Sequence, residues 1–139
     1  MSDDLFDLSG KVALVTGGSR GLGLQMVRAF ARHGADVIVA SRKLDACEAA
    51  ADEVRAMGRR ALAHAVHAAK WDEIDRLIEA AYAAFGRIDI LVNNAGMSPA
   101  VPSHEVSEQL FDSVLGLNFK GPFRLASQVG HRMAQGDGG

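Results

Sequence analysis

The sequence predicts an α/β fold in which a parallel sheet is covered by helices on both faces. Short apolar stretches alternate along the chain with amphipathic stretches, which is the order expected of β-α-β units. The apolar stretches are continuous runs, such as 37–39, and this is typical of parallel strands buried on both faces. A glycine-rich turn joins the first strand to the first helix, and right-handed crossovers would then give the strand order 3-2-1-4.

Glycines mark the ends of the predicted helices. Each amphipathic stretch is followed directly by a glycine, which can adopt the left-handed conformation that ends a helix. The predicted strands are 11–16, 36–40, 61–66 and 88–92, the predicted helices are 21–33, 44–57 and 72–85, and the glycines that follow the helices are Gly34, Gly58 and Gly86. We find no repeat and no linker, so residues 1–139 are predicted to form one domain.

The composition excludes several classes of function. The 139 residues carry a formal net charge of -2 and no run of Lys or Arg, which argues against nucleic acid or an anionic membrane as a partner. No apolar run approaches the roughly 20 residues that span a bilayer, and the acidic start is unlike a signal peptide, so a cytoplasmic location is expected. Cys47 is the single cysteine and is interpreted as an apolar helix residue, and neither a disulfide nor a metal site is predicted.

The stretch from Thr16 to Gly23 has the pattern expected of a phosphate-binding turn. It follows a strand and opens a helix, whose first turn has unpaired N–H groups and the positive end of the helix dipole. Gly17 would allow a tight turn, Gly21 a close approach of backbone to a pyrophosphate, and Gly23 close packing of the helix against the strand. The spacing G-x-x-x-G-x-G differs from the more usual G-x-G-x-x-G, and a glycine-rich turn without a ligand is the alternative.

Positive side chains follow the second predicted strand. In dinucleotide-binding folds, an acidic residue at this place binds the ribose hydroxyls of NAD and repels a 2′-phosphate. This sequence has Ser41, then Arg42 and Lys43, and a guanidinium can bind a phosphate through two hydrogen bonds. Arg20, in the glycine turn, is placed to reach the same phosphate. The sequence therefore predicts a preference for NADP(H), with NAD(H) still open and a solvated helix start as the alternative interpretation.

Small polar residues follow the fourth predicted strand. The stretch Asn93-Asn94-Ala95-Gly96 comes at the carboxyl end of a strand that lies beside the first strand in the expected order. An Asn side chain can tie a turn, and the small residues Ala95 and Gly96 would let backbone approach an adenosine-ribose ligand. The stretch is therefore predicted to lie at the rim of a ligand crevice.

The segment 108–134 combines a helical pattern with residues that disfavour a helix. Ser107 is a candidate N-cap, but Pro122 removes a helical hydrogen bond and clashes with the preceding turn. We therefore expect the helix to bend or break near 118–122. A proline that destabilises a helix in this way indicates a functional role for the segment. The alternative interpretation is a kink without a function.

Together these motifs resemble the short-chain dehydrogenases/reductases. The resemblance rests on Thr16-Gly-Gly-Ser-Arg-Gly-Leu-Gly23, on Asn93-Asn-Ala-Gly96 and on Asn118 within 117–123, in the order and spacing of that family, and it covers nearly the whole chain. It implies a Rossmann-type fold, NAD(P) as the cofactor, and hydride transfer to or from a small-molecule carbonyl or alcohol.

The resemblance also implies roles for individual residues. In the family, the residue that matches Asn118 sits at a helix kink and holds a water in a proton relay, so Asn118 is the candidate catalytic residue. Where family members usually have an Asp that contacts adenine, this chain has His67, for which metal binding is a less favoured interpretation. The implied cofactor-binding residues are Gly17, Ser19, Arg20, Gly21, Leu22, Gly23, Ser41, Arg42, His67, Asn94, Ala95 and Gly96.

The other catalytic residues of the family have no match in this chain. The family uses a tyrosine as general acid/base, a lysine four residues later and a serine, all normally beyond the matched stretch. The single tyrosine here, Tyr82, lies in the third predicted helix and is followed four residues later by Gly86. The chain therefore looks like the first half of such an enzyme, apparently truncated, and we expect these 139 residues alone to be inactive.

Three functions stay open on the sequence: an NADP(H)-dependent oxidoreductase, a nucleotide-binding fragment without activity, and a pseudoenzyme that acts through subunit association. No substrate is predicted, since Met97, Pro99 and Val101 could contact a substrate or belong to an ordinary loop. The apolar strand 88–92 would form an exposed edge, and the family uses the helix that matches 108–134 as a subunit interface. We therefore expect association, at least as a homodimer.

Overall fold

A parallel four-stranded sheet forms the centre of the structure, a computed structural model that describes residues 5–139. The strands are β1 Val12–Thr16, β2 Asp36–Ser41, β3 Ala61–Ala65 and β4 Ile90–Val92. The helices are α1 Gly21–Arg32, α2 Leu44–Ala56, α3 Trp71–Phe85, α4 Glu108–Leu115 and α5 Gly121–Gln135, with a short 3-10 turn at Ser103–Glu105. The strand order is β3-β2-β1-β4, which confirms the order 3-2-1-4 predicted from the sequence.

The strands run in one direction, so the segments that follow them meet at the same edge of the sheet. At this carboxyl edge Val15 lies opposite Val92, and Ser41 lies opposite Ala65. Asp36 begins β2 at the other edge, where its carboxylate accepts hydrogen bonds from Arg60. The glycine turn, the end of β2 and the stretch after β4 are thereby brought together.

The core has two layers, one on each face of the sheet. Neighbouring residues of a strand point to opposite faces, so Leu14 packs against α3 and α5 while Val15 packs against α1 and α2. The first layer includes Ile74, Leu77, Leu125 and Val129, and the second includes Val27, Cys47, Ala50 and Val54. Helices therefore cover both faces, as predicted.

The predicted glycine stops are confirmed at the ends of the first three helices. Gly34, Gly58 and Gly86 have φ values of +100°, +80° and +72°, in the left-handed region that other residues rarely adopt. The helix bounds differ from the predicted ones by one residue: α1 and α2 each end one residue earlier, and α3 starts one residue earlier.

The segment around Pro122 remains helical, so the expected bend or break takes a different form. Between α4 and α5 lies a π-helical segment, Gly116–Lys120, in which the Gly121 N–H donates to the carbonyl of Gly116, five residues back. The π-helical turn places Pro122 in the first turn of α5, where a missing N–H is tolerated. A π-helical turn inside an α-helix often accompanies a functional site.

Asp89 ties together the amino ends of β1 and β4. Its carboxylate accepts a hydrogen bond of 2.9 Å from the Val12 N–H and one of 2.8 Å from the Arg87 guanidinium. Burial would raise the pKa of Asp89, but these hydrogen bonds outweigh that effect and hold the pKa below its ordinary value. Because a side chain satisfies the Val12 N–H, the regular ladder of β4 begins at Ile90, two residues later than predicted.

We expect Asp89→Asn to lower the free energy of unfolding by about 2 kcal/mol at neutral pH, because an amide accepts the Arg87 hydrogen bond more weakly than a carboxylate. Since the folded-state pKa of Asp89 is depressed, its contribution is complete above the unfolded value of about 3.9 and is lost as the pH falls through the folded value. Urea unfolding near pH 7 and near pH 3 measures this difference, which should shrink in acid. An equal difference at both pH values would contradict the assignment.

Candidate functional site

The glycine turn leaves β1 through a backbone conformation that requires glycine. Gly17 has a φ of +64°, and its N–H donates to the Ala40 carbonyl on β2 at 2.8 Å. A Cβ at Gly17 would lie 2.9 Å from the side-chain nitrogen of Asn94. The turn therefore follows β1 without space for a side chain, as predicted from the sequence.

Gly21 and Gly23 have different roles at the start of α1. Gly21 has a φ of +55°, and a Cβ there would meet no described atom within 4 Å, so its surroundings are open. A Cβ at Gly23 would lie 2.1 Å from the carbonyl oxygen of Gly17. Gly23 therefore packs against the turn that leaves β1 and against Asn94, and its lack of a Cβ lets α1 lie close to the end of this strand.

The start of α1 has no side-chain cap. Arg20 occupies the N-cap position without a capping hydrogen bond, and the first turn contains no acidic residue. By contrast, the Ser107 hydroxyl caps α4 by accepting a hydrogen bond from the Leu110 N–H at 3.1 Å. The first N–H groups of α1 therefore have no side-chain cap, and an anion at the positive end of the helix dipole would be stabilised by them.

Asn94 and Thr16 fasten the glycine turn to the end of β4. The Asn94 side-chain amide donates to the carbonyls of Thr16 and Gly17, each at 3.2 Å. The backbone N–H groups of Asn94 and Ala95 both donate to the buried Thr16 hydroxyl at 3.1 Å. The sequence predicted that an Asn side chain ties a turn here, and the turn that Asn94 ties is the glycine turn after β1.

Positively charged side chains that form no ion pair among the described residues lie near the end of β2. Within residues 5–139, Arg20, Arg42 and Lys43 are exposed and form no hydrogen bond or ion pair through their side chains. Arginines elsewhere, such as Arg28 and Arg124, form ion pairs with carboxylates. The cations beside Ser41 are therefore available for an anionic ligand.

His67 lies in the loop that follows β3, at the same edge of the sheet. Its backbone N–H donates to the Glu73 carboxylate at 2.6 Å, and its ring Nδ1 accepts from the Ala69 N–H at 3.3 Å. The neutral ring therefore carries its hydrogen on Nε2. The start of α3 holds this loop in place.

Asn118 lies on the π-helical segment and holds the stretch after β4. Its side-chain oxygen accepts from the Met97 N–H at 2.9 Å, and its side-chain nitrogen donates to the Met97 carbonyl at 2.8 Å. Asn118 and Met97 both line an open cleft of about 450 Å³. The residues that line this cleft are Asn93, Asn94, Ala95, Gly96, Met97, Ser98, Asn118 and Pro122. The structure thus brings Asn118 together with Asn94, Ala95 and Gly96.

The π-helical segment rests on the loop that contains His67. A Cβ at Gly121 would lie 1.6 Å from the Ala68 carbonyl oxygen, so only glycine allows this contact. The Trp71 indole N–H donates to the Lys120 carbonyl at 3.1 Å. The pattern of residues 118–122 predicts a bend but does not indicate this contact between the His67 loop and the segment that carries Asn118.

Tyr82 lies away from this cleft. Its ring lies under the Arg132 guanidinium at 4.6 Å, and its hydroxyl oxygen is buried without a hydrogen-bond partner among the described residues. Burial raises the pKa of Tyr82 above its ordinary value of 10.0, which opposes a role as an acid/base near neutral pH. Tyr82 lines a smaller cavity of about 130 Å³ with Arg87 and Asp89, near the amino ends of the strands.

In the part of the chain that the structure describes, no helix is long and apolar enough to cross a membrane. No group of three or more His, Cys, Asp or Glu side chains is placed to hold a metal ion within residues 5–139.

Known proteins share both the sequence pattern and the fold. A family model described as short chain dehydrogenase matches residues 11–139. The 2-dehydro-3-deoxy-D-gluconate 5-dehydrogenase of Escherichia coli is 42% identical over 135 residues, which cover 96% of this chain and 53% of that protein. The chain spans about half the length of the curated relatives that it matches.

Solved structures agree with this match. A short-chain type dehydrogenase/reductase from Mycobacterium marinum has a TM-score of 0.90 at 35% identity, over 95% of this chain and 52% of that one. A metagenomic short-chain oxidoreductase in complex with NADP has a TM-score of 0.90 at 34% identity, over 96% of this chain and 61% of that one. With its 3-2-1-4 sheet and Rossmann-type architecture, this chain belongs to the short-chain dehydrogenase/reductase family.

Proposed function

We propose that this chain is the cofactor-binding part of an NADP(H)-dependent oxidoreductase that transfers hydride between nicotinamide and a carbonyl or alcohol. The observation that carries the proposal is the unpaired positive charge of Arg20 and Arg42 beside the uncapped start of α1. Membership of the family supports redox chemistry on a small molecule. The identity of that molecule is not assigned.

The preference for NADP(H) rests on charge at the end of β2. Two guanidinium groups without carboxylate partners would stabilise the 2′-phosphate of NADP, each able to donate two parallel hydrogen bonds. No acidic residue stands at 41–43 to bind the paired ribose hydroxyls of NAD. The complex of NADP with a metagenomic relative supports the same preference by similarity, and NAD(H) is the second candidate.

The rest of the cofactor would lie along the carboxyl edge of the sheet. The uncapped N–H groups of α1 would bind the pyrophosphate, and the open space at Gly21 allows its close approach. Ala95 and Gly96 would border the adenosine ribose, and His67 would contact adenine from the loop after β3. When bound, the cofactor supplies the hydride.

Asn118 would act through its backbone. Both polar atoms of its side chain bind Met97, and this pair of hydrogen bonds holds the side chain on the stretch after β4. Pro122 has no N–H, and the Asn118 carbonyl therefore lacks the donor that an α-helix would provide four residues later. This carbonyl is the group that we infer to accept a hydrogen bond from a relay water.

These 139 residues do not provide a proton donor for carbonyl reduction. Tyr82 is the single tyrosine, and its hydroxyl is buried away from the cleft with a raised pKa. Family chemistry needs a phenol whose pKa is lowered by a nearby lysine. We therefore infer that residues 1–139 alone bind the cofactor without reducing a carbonyl, which leaves the nucleotide-binding fragment as the second candidate function.

An exposed apolar surface on α4 and α5 supports self-association, which is part of the proposal. A cytoplasmic location is proposed as well. Phe111, Leu115, Phe119 and Phe123 are exposed at intervals of four residues along the helical segment from α4 to α5. Phe119 has 69% of its surface exposed, which is unusual for a large apolar side chain. A homo-oligomer that buries this stripe would remove the exposed apolar surface from water.

Isothermal titration calorimetry with NADPH and NADH tests the proposal. We expect NADPH to bind more tightly by about tenfold or more, because hydrogen bonds to a charged phosphate are worth more than those to a hydroxyl. The same 139 residues should show no consumption of NADPH when mixed with carbonyl compounds. Failure to bind either nucleotide would contradict the cofactor site, and NADPH-dependent reduction would contradict the argument about the missing proton donor.

A further inference from the structure

Cys47 has polar contacts that the sequence did not predict. It is fully buried in α2, with 0% of its surface exposed, as expected of an apolar helix residue. Its thiol, however, lies 3.0 Å from the Ser41 hydroxyl and 3.8 Å from the carbonyl oxygen of His64 on β3. The thiol therefore has a donor and acceptor environment inside an otherwise apolar layer.

A chain of hydrogen bonds joins this thiol to the rim of the proposed cofactor site. The Ser19 hydroxyl, in the glycine turn, donates to the Ser41 hydroxyl oxygen at 2.9 Å. Ser41 in turn contacts Cys47, so this series of hydrogen bonds extends from the glycine turn through the end of β2 to α2. Each serine is followed in the sequence by an unpaired cation, since Arg20 follows Ser19 and Arg42 follows Ser41.

The hydrogen bonds between Ser19, Ser41 and Cys47 can be arranged in two ways, because a hydroxyl donates one hydrogen bond and accepts up to two. If Cys47 donates to the His64 carbonyl, the Ser41 hydrogen points inward to the sulfur. If Cys47 donates to Ser41 instead, Ser41 accepts from both Ser19 and Cys47. Its own hydrogen is then turned outward, toward the rim.

We propose that Cys47 is a positioning residue for cofactor choice: by donating to Ser41, its thiol turns the Ser41 hydroxyl outward as a donor to the ribose 2′-phosphate of the nucleotide. The inference rests on the proposed function, since it concerns the same site. Cys47 does not touch the ligand and acts through Ser41 alone. A phosphate dianion only accepts hydrogen bonds, so it requires the outward arrangement, whereas a ribose hydroxyl can donate to Ser41 or accept from it.

Two substitutions separate this role from packing. Cys47→Val keeps a similar volume and removes the hydrogen bond, and it should weaken NADPH binding by roughly three- to tenfold while NADH binding stays unchanged. Cys47→Ser keeps a donor and an acceptor and should preserve the ratio of the two affinities. The inference is overturned if Cys47→Val leaves the ratio unchanged, or if it weakens both nucleotides by the same factor.

A spectroscopic measurement on the unsubstituted chain covers the case in which Cys47→Val does not fold. Because the sequence contains one cysteine, the infrared S–H stretching band belongs to Cys47 alone. The band should shift when NADPH is added and stay in place when NADH is added. An unshifted band with NADPH bound would overturn the inference.

The binding ratio of the unsubstituted chain distinguishes failure of this inference from failure of the proposed function. If the unsubstituted chain shows no preference for NADPH, the proposed function itself is wrong and the inference falls with it. Suppose instead that the unsubstituted chain prefers NADPH, that Arg42→Asp removes this preference and that Cys47→Val does not. In that case only the role of Cys47 is wrong.

Discussion

Arg42→Asp is expected to weaken NADPH binding about 100-fold and to leave NADH binding within about threefold of its original value. Arg42 is exposed at the end of β2 and has no ion pair within the described residues, so its charge is available to the 2′-phosphate. The substitution removes a charge-assisted pair and places a carboxylate where a phosphate would lie. The same carboxylate can accept hydrogen bonds from the ribose hydroxyls of NADH, so the preference should reverse.

Arg32→Asp provides the matched control for this substitution. Arg32 is also exposed and without an ion pair among the described residues, but it lies in the last turn of α1, away from the start of that helix. The same change in net charge should there affect the two nucleotides equally. If Arg42→Asp leaves the ratio of the two affinities unchanged, the assignment of Arg42 to the phosphate is wrong.

Gly23→Ala is expected to weaken the binding of both nucleotides more than tenfold and to lower the free energy of unfolding by about 2 kcal/mol. The added Cβ would lie 2.1 Å from the Gly17 carbonyl oxygen and 2.6 Å from the Asn94 side-chain nitrogen. A backbone carbonyl cannot rotate away, and the Gly17 N–H is already bound to Ala40. The turn must therefore move, and the N–H groups that would bind the pyrophosphate move with it.

Gly130→Ala is the matched control for Gly23→Ala. Gly130 also lies inside a helix, α5, but a Cβ there would meet no described atom within 4 Å. Alanine is the better helix former, so this substitution should leave binding unchanged and raise the free energy of unfolding by about 0.5–1 kcal/mol. Binding of NADPH and NADH by the two variants, with urea unfolding of each, makes the comparison. Unaltered nucleotide binding by Gly23→Ala would show that the turn is not part of the site.

Much of the fold followed from local patterns in the sequence. Continuous apolar runs such as 37–39 identified the buried parallel strands, and Gly34, Gly58 and Gly86 marked the helix ends because each requires a left-handed conformation. The candidate site was also predicted in outline, since parallel strands bring the segments that follow them to one edge. Periodicity and turn chemistry act over a few residues, and a single sequence shows them directly.

The parts that sequence analysis missed depend on residues that are far apart along the chain. Thr16 and Asn94 meet across a separation of 78 residues, and nothing local to either one identifies the other. The contact between Gly121 and Ala68 likewise needs the packing of α5 against the loop after β3. The thiol of Cys47 was interpreted from its apolar neighbours in sequence, whereas its polar contacts come from β2 and β3.

The backbone amide chemical shifts of the ¹⁵N-labelled chain, followed during titration with NADPH, show where the nucleotide binds. Binding at the carboxyl edge of the sheet should produce saturable shifts concentrated at 17–23, 41–43 and 94–97. Shifts confined to the opposite edge around Tyr82 and Asp89, or no saturable shifts at all, would rule out NADP(H) binding at the carboxyl edge.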